Sequence, residues 1–222
     1  MSEKTEEAQV KTKKRVADHG EVFTNKREVN AMLDLVKQET ERIDSRFLEP
    51  ACGTGNFLVE ILERKLKVVE TRYKKSQLGY ERNAITAISS IYGVDILEDN
   101  VNACRDRLLG IFTNYYINHY PKNFNEAVLK SAQFILSKNI IWGDALDLTN
   151  PQTKQPIVFS EWSALNGSLL KRRDFQLDKL LGNVEYGPNE MNLFSDSKVP
   201  VFIPQPIKEF PLTHFLKIAE ND

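Results

Sequence analysis

The sequence predicts an α/β domain built on a parallel sheet, and three observations point there. Short apolar runs that end at or beside an acid recur at Arg46 to Glu49, Ile91 to Ile96 and Asn139 to Gly143. Segments with helical spacing of apolar residues separate these runs. A glycine turn, Gly53-Thr-Gly55, joins the first run to the helix after it. Strands alternating with helices of ten or more residues argue a parallel sheet, because parallel neighbours need a long crossover between them.

The elements follow in order. Residues 1–18 alternate charges of both signs with few apolar groups, which cannot offset the entropy of ordering, and read as a frayed tail. Val29, Met32, Leu33 and Val36 fall at i, i+3, i+4 and i+7, one face of a helix running to about Arg42. After the strand at Arg46 to Glu49 and the glycine turn, Phe57, Leu58, Ile61, Leu62, Leu66 and Val69 mark a second amphipathic helix. Arg64 to Arg82 is the one basic stretch, and a short helix is expected at Asn83 to Ser89. The strand Ile91 to Ile96 leads to a helix carrying Val101, Cys104, Leu108, Ile111 and Tyr115. A loop opening at Pro121 and a helix with Val128, Phe134 and Ile135 lead to the third strand.

After Leu148 the pattern changes. Ile157 to Leu165 and Ser168 to Phe175 flank Asn166-Gly167, a strong hairpin signal because both central residues of the favoured turn need positive φ. A short helix, Gln176 to Leu181, follows. The remainder carries Pro188, Pro200, Pro204, Pro206 and Pro211 and reads as an extended tail, with Phe202, Ile203, Phe210 and Phe215 to anchor it. The expected divisions are thus a tail at 1–18, a ligand-binding α/β domain at 19–150, a hairpin and short helix at 151–182, and an extended tail at 183–222.

Composition bounds the function. The 222 residues are 41% hydrophobic and 27% charged, which excludes collagen, mucin, a disulfide scaffold and wholesale disorder. Thirty Lys+Arg against 31 Asp+Glu leave a net charge of −1, too balanced for a chain that grips phosphate over its whole surface. No run of eighteen apolar residues is present, and the first twenty residues are charged where a signal peptide would have an apolar centre. A cytoplasmic protein without membrane contact is the expectation. Cys52 and Cys104 lack CxxC spacing or a neighbouring histidine, and His19, His119 and His214 have no partner spacing, so no metal is expected.

The chemistry concentrates in Phe47-Leu-Glu-Pro-Ala-Cys-Gly-Thr-Gly-Asn-Phe57. A strand delivers Glu49 to the carboxyl edge of the sheet, and Gly53 and Gly55 let the backbone turn so that its N–H groups and the next helix start face a ligand. A dinucleotide site would want a third glycine where Leu58 stands and an acid about 20 residues on, and a phosphate-binding P-loop would want a Gly-Lys-Ser/Thr that is absent. Asp95 and Asp144 follow the second and third strands as Glu49 ends the first. Each acid alone reads more readily as a helix or turn cap. Together they offer acceptors for a ligand with a zwitterionic end, a diol and an amino-bearing ring, with Ile96, Leu97 and Leu146 as apolar faces for the ring.

The segment Glu49-Pro-Ala-Cys-Gly-Thr-Gly-Asn-Phe57-Leu closely resembles the first motif of class I S-adenosylmethionine-dependent methyltransferases, in the form carried by DNA adenine amino-group methyltransferases of restriction–modification systems. His19-Gly-Glu-Val-Phe23-Thr24 resembles the motif that such enzymes place before the first strand to cover the methionine end of the cofactor. Tyr92-Gly-Val-Asp95-Ile96 is similar to their second strand, whose acid accepts from both ribose hydroxyls, and Trp142-Gly-Asp144-Ala145-Leu146 to their third, whose Asp accepts from the adenine amino group. The resemblance covers residues 19–148. It implies a Rossmann-like domain, with an incomplete sheet here, that binds S-adenosylmethionine through Phe23, Thr24, Glu49, Pro50, Ala51, Gly53, Gly55, Asn56, Phe57, Asp95, Ile96, Asp144, Ala145 and Leu146.

The family pattern breaks at the acceptor. The [Asn/Asp/Ser]-Pro-Pro-aromatic motif that holds the target amino group and stacks the flipped base is absent. Asn150-Pro151-Gln-Thr lacks the second proline and the ring and reads as a turn, and Ser160-Glu-Trp162 reads as packing. The catalytic residues are therefore unknown, and a partner subunit supplying catalytic or target-recognition elements is implied. DNA contact could use Lys171-Arg-Arg173 or the basic stretch with Tyr73 and Tyr80, although a charge run is more often a solvated face. The alternatives are a noncatalytic S-adenosylmethionine-binding module and methyl transfer to another acceptor.

Overall fold

The computed structural model describes residues 15, 24–165, 167–181 and 204–220. The expected tail apart from Arg15, the motif residues His19 to Phe23, Asn166, Pro188, Pro200, Phe202 and Ile203 lie outside the described residues.

Strands β1 (Phe47–Glu49), β2 (Ile91–Asp95) and β3 (Ile140–Trp142) form a parallel sheet in the order β1-β2-β3. Successive β2 side chains point to opposite faces. Ile91 enters the core built by the helices, whereas Tyr92 and Val94 cluster with Ile157, Phe159 and Leu177. All five β2 residues are buried, as expected of a strand covered on both sides.

The helices are α1 (Lys26–Asp34), α2 (Lys37–Thr40), α3 (Asn56–Tyr73), α4 (Gln77–Ser89), α5 (Glu98–His119) and α6 (Glu126–Asn139). Caps set several starts: Asn25 Oδ1 accepts from Glu28 N–H at 3.0 Å, and Ser76 Oγ from Gly79 N–H at 3.2 Å. The single helix expected to Arg42 is two. Val36 leaves helical geometry at φ −119°, ψ 32°, and the redirected chain buries Thr40 and Ile43. The helix expected at Asn83 begins six residues earlier, at Gln77.

The basic stretch is mostly a solvated face, with Lys67, Arg72, Lys74 and Lys75 exposed, but its first two residues turn inward. Lys65 is fully buried and donates to Ile43 O at 3.1 Å, to Ser90 Oγ at 2.6 Å and to Ser45 O, tying α3 to the chain that enters β1. Arg64 pairs with Asp34 at 2.7 Å.

A second, antiparallel sheet covers the other face of the first. Strands β4 (Val158–Ala164) and β5 (Leu169–Gln176) form the expected hairpin, with Gly167 at φ 81° in its turn. The short helix α7 (Leu177–Leu180) follows, and Leu177 N–H donates back to Ile157 O at 2.8 Å. Tyr92 meets Phe159 edge-on at 5.4 Å, and its hydroxyl donates to Ser160 O at 3.1 Å. Within its described part, the segment expected as an extended tail at 183–222 forms two short strands, β6 (Lys208–Glu209) and β7 (Thr213–His214), that pair with β5. Phe210 and Phe215 are buried, so the expected anchoring aromatics are what hold this segment against the hairpin.

Candidate functional site

Glycine conformation builds the turn after β1. Gly53 and Gly55 have φ of 52° and 90°, the left-handed region that side chains adopt only with strain. A Cβ on Gly55 would lie 2.6 Å from Cys104 Sγ, so this glycine rests directly on α5. Gly55 is also the N-terminal boundary of α3, whose first N–H groups have no partner within the helix. Cys52 and Cys104 are both buried. A hydrogen bond with Cys104, then burial, pushes the Cys52 thiol pKa up, so the Cys52 thiol is neutral packing and not a nucleophile.

The register sets the acids in a staircase. Glu49 is level with Gly93, and Asp95 with Trp142. Asp95 thus lies two residues beyond Glu49, and Asp144 two beyond Trp142, each step about 7 Å along the strands and about 5 Å across. The three acids share the carboxyl edge of one sheet, spread out as a line of acceptors.

Their surroundings differ. Glu49 is half-buried, and desolvation raises its carboxyl pKa against the lowering effect of the Ala51 N–H. Asp95, 8% exposed, is held by the protein: Oδ2 accepts from Gly53 N–H at 2.8 Å, and Oδ1 from Leu97 N–H at 2.9 Å and the Asn100 amide at 3.2 Å. A carboxylate has about four acceptor positions. One remains here, on Oδ2, enough for one hydroxyl where the resemblance implies two. Asp144 Oδ1 accepts from Leu146 N–H at 2.8 Å and Asp147 N–H at 3.3 Å, closing a turn, while Oδ2 accepts from none of the described residues. Both aspartates therefore act as caps and still keep an acceptor position open.

The other expected residues border this edge. Thr24 O accepts from Asn56 Nδ2 at 2.9 Å, which brings the start of the described chain to the first turn of α3. Arg15 pairs with Asp99 at 2.7 Å, just beyond β2. Pro50 and Ala51 are exposed on the turn, and Phe57 is half-buried on α3. Ile96 and Leu146 are 41% and 93% exposed, apolar surface without a covering group, while Ala145 packs with the Tyr92 and Val94 cluster.

Sequence reasoning missed Arg107. From α5 its Nη1 donates to Thr54 O at 2.7 Å, Thr54 Oγ1 at 3.0 Å and Asn56 Oδ1 at 2.8 Å. It lies three residues after Cys104, on the same helix face, which was the available signal. Replacing Arg107 by alanine removes this brace from both ends of the glycine turn. The expected result is roughly tenfold weaker binding of the turn's ligand, about 1.4 kcal/mol, with thermal unfolding lowered by only a few degrees. Calorimetric titration beside a melting curve checks it.

The residues weighed for an acceptor are committed elsewhere. Asn150 Oδ1 accepts from Gln152 and Thr153 N–H at 3.0 and 2.9 Å, the expected turn. Trp162, 7% exposed, donates to Asn139 Oδ1 at 3.0 Å. Lys171, Arg172 and Arg173 pair with Glu209, Asp174 and Glu161 at 2.9, 2.9 and 2.6 Å, so this basic run is neutralised within the protein. Among the described residues no group of three His, Cys, Asp or Glu could hold a metal ion, and no helix is long and apolar enough to cross a membrane. Comparisons with protein-family models, curated proteins and solved structures find no match for the chain.

Proposed function

We propose that the chain is an S-adenosylmethionine-binding methyltransferase unit of Rossmann-like type, resembling the DNA adenine amino-group enzymes, and that it works as a modification subunit with a partner supplying the acceptor-holding element. The observation that carries this reading is the clamp between Gly53 N–H and Asp95 Oδ2 at 2.8 Å, which ties the glycine turn to the end of β2. The donor set fits the cofactor: the first N–H groups of α3 and Glu49 suit a zwitterion, the open position on Asp95 a ribose hydroxyl, Asp144 Oδ2 an amino group, and Ile96 with Leu146 a ring face. When bound, S-adenosylmethionine supplies an already activated methyl group. The chain's own work is then placement, holding the ligand rigidly through the turn, the staircase of acids and the Arg107 brace.

Calorimetric titration with S-adenosylhomocysteine tests this. Binding by the wild type is expected, with Gly53→Ala about tenfold weaker, since a side chain at φ 52° strains the turn that Asp95 clamps. No binding by the wild type at millimolar ligand would sink the proposal.

The neutralised Lys171 to Arg173 run and the missing acceptor motif favour a second reading, a noncatalytic cofactor-binding module. Labelled methyl transfer to unmethylated DNA in the presence of host lysate, lost with purified Asp95→Ala, separates the two. Binding without transfer supports the module.

A further inference from the structure

Among the described residues β1 pairs with β2 alone, and a cavity of about 230 Å³ lies along its other side. Met32 and Val36 approach from α1 and the turn after it, Phe47 and Leu48 from the strand, and Phe57 from α3, over a floor of core residues. Met32, Val36 and Leu48 stay 54%, 46% and 45% exposed, three large apolar side chains standing open around one hole. Glu49 is the single charged group in the lining.

We infer that this cavity is a pocket for one flat, mostly apolar ring that carries an amino group, with the ring against Met32, Val36, Leu48 and Phe57 and the amine donating to one Glu49 oxygen, the other oxygen being left to the cofactor. Size sets the first part. Drug-sized ligands occupy about 300–1,000 Å³, so this space suits a single ring system. Apolar walls hold water poorly and favour a ring face. The lone carboxylate sets the second part: it only accepts when ionised, so the complementary group is a donor, and a ring-bound N–H suits apolar walls better than a hydroxyl, which would leave its own lone pairs unpaired there. Its raised pKa reflects the partly dry surroundings that strengthen such a bond. The inference rests on the methyltransferase reading in naming this occupant an acceptor, because Glu49 is where the cavity and the glycine turn meet. It adds what the missing motif leaves open, a place on this chain for the acceptor's ring.

The test is amide chemical-shift mapping on the full ¹⁵N-labelled chain saturated with S-adenosylhomocysteine. Adenosine, uridine (which lacks the exocyclic amine) and a short single-stranded oligonucleotide with one adenine are added separately. Shifts with adenosine at residues 32–36, 47–49 and 57–61, and none there with uridine, are expected. Val36→Trp and Met32→Trp, which fill the cavity from half-exposed positions, should weaken adenosine binding at least tenfold and leave S-adenosylhomocysteine binding unchanged. Tighter binding of the oligonucleotide than of adenosine assigns the ring to DNA, and the reverse to a free amine. Equal response to uridine, shifts elsewhere, or wild-type affinity in both Trp variants would overturn the pocket. So would concentration-dependent dimerisation that Val36→Trp removes, which would give the groove to a second copy. If adenosine enters the cavity but S-adenosylhomocysteine does not bind even in its absence, the methyltransferase reading fails and the pocket stands.

Discussion

Asp95→Ala should abolish measurable cofactor-product binding, at least a hundredfold loss, and destabilise the fold by about 3 kcal/mol. The two effects have one origin. The carboxylate accepts from Gly53 N–H, Leu97 N–H and Asn100 Nδ2, so its removal strands donors in a buried site and frees the glycine turn from β2. Asp95→Asn is expected to be nearly as harmful. Both Asp95 oxygens face donors, and an amide nitrogen in either place sets N–H against N–H. Urea denaturation and calorimetry on the same samples check this. Wild-type stability with lost binding would show that the acid serves the ligand alone, and the reverse that it is only a cap.

The second large effect lies in the hairpin. Arg172 and Asp174, 6% and 8% exposed, form a two-pronged pair with Nε–Oδ1 and Nη2–Oδ2 both at 2.9 Å, and Ser160 Oγ donates to Asp174 Oδ1 at 2.7 Å. The guanidinium also stacks over Phe210 at 3.9 Å. Asp174→Ala removes the carboxylate from a buried cation and is expected to cost about 3–5 kcal/mol. The double variant Arg172→Met, Asp174→Val should recover most of that loss, because an apolar pair needs no compensation for desolvation. The chevron midpoint of each variant in urea measures it, and a single-variant cost below about 1 kcal/mol would show that the pair is effectively solvated.

What was legible in the sequence was local. The three strands, the glycine turn, the Asn-Gly hairpin and the acids after each strand all follow from period, turn chemistry and position. What escaped depends on contacts between distant residues. Nothing near Lys65 in sequence says that its ammonium lies against Ile43 O and Ser90 Oγ, so a buried tie read as part of a basic surface. Nothing around Val158 to Ala164 says which face it will cover, so the hairpin read as an appendage. Ser76, by contrast, is a capping residue whose signal could have moved the start of α4 to Gln77. Asp95 makes the local cap contact that its position after β2 suggests, with Leu97 N–H, but its bond from Gly53 N–H, 42 residues away, only the folded turn reveals.

The hairpin that covers Tyr92 and Val94 bears on how the molecule can be made and divided. Its partners are far apart along the chain: Tyr92 reaches Ser160 across 68 residues, and Ser131 reaches the carbonyl of Phe215 across 84. A polypeptide stopped at residue 150 would leave one side of its central strand greasy and open, a surface prone to sticking to other nascent chains. The glycine-turn half is therefore not a portable cassette. Shuffling it into another protein requires that the late-synthesised strands travel with it, and slow folding is the kinetic mark of so much long-range closure.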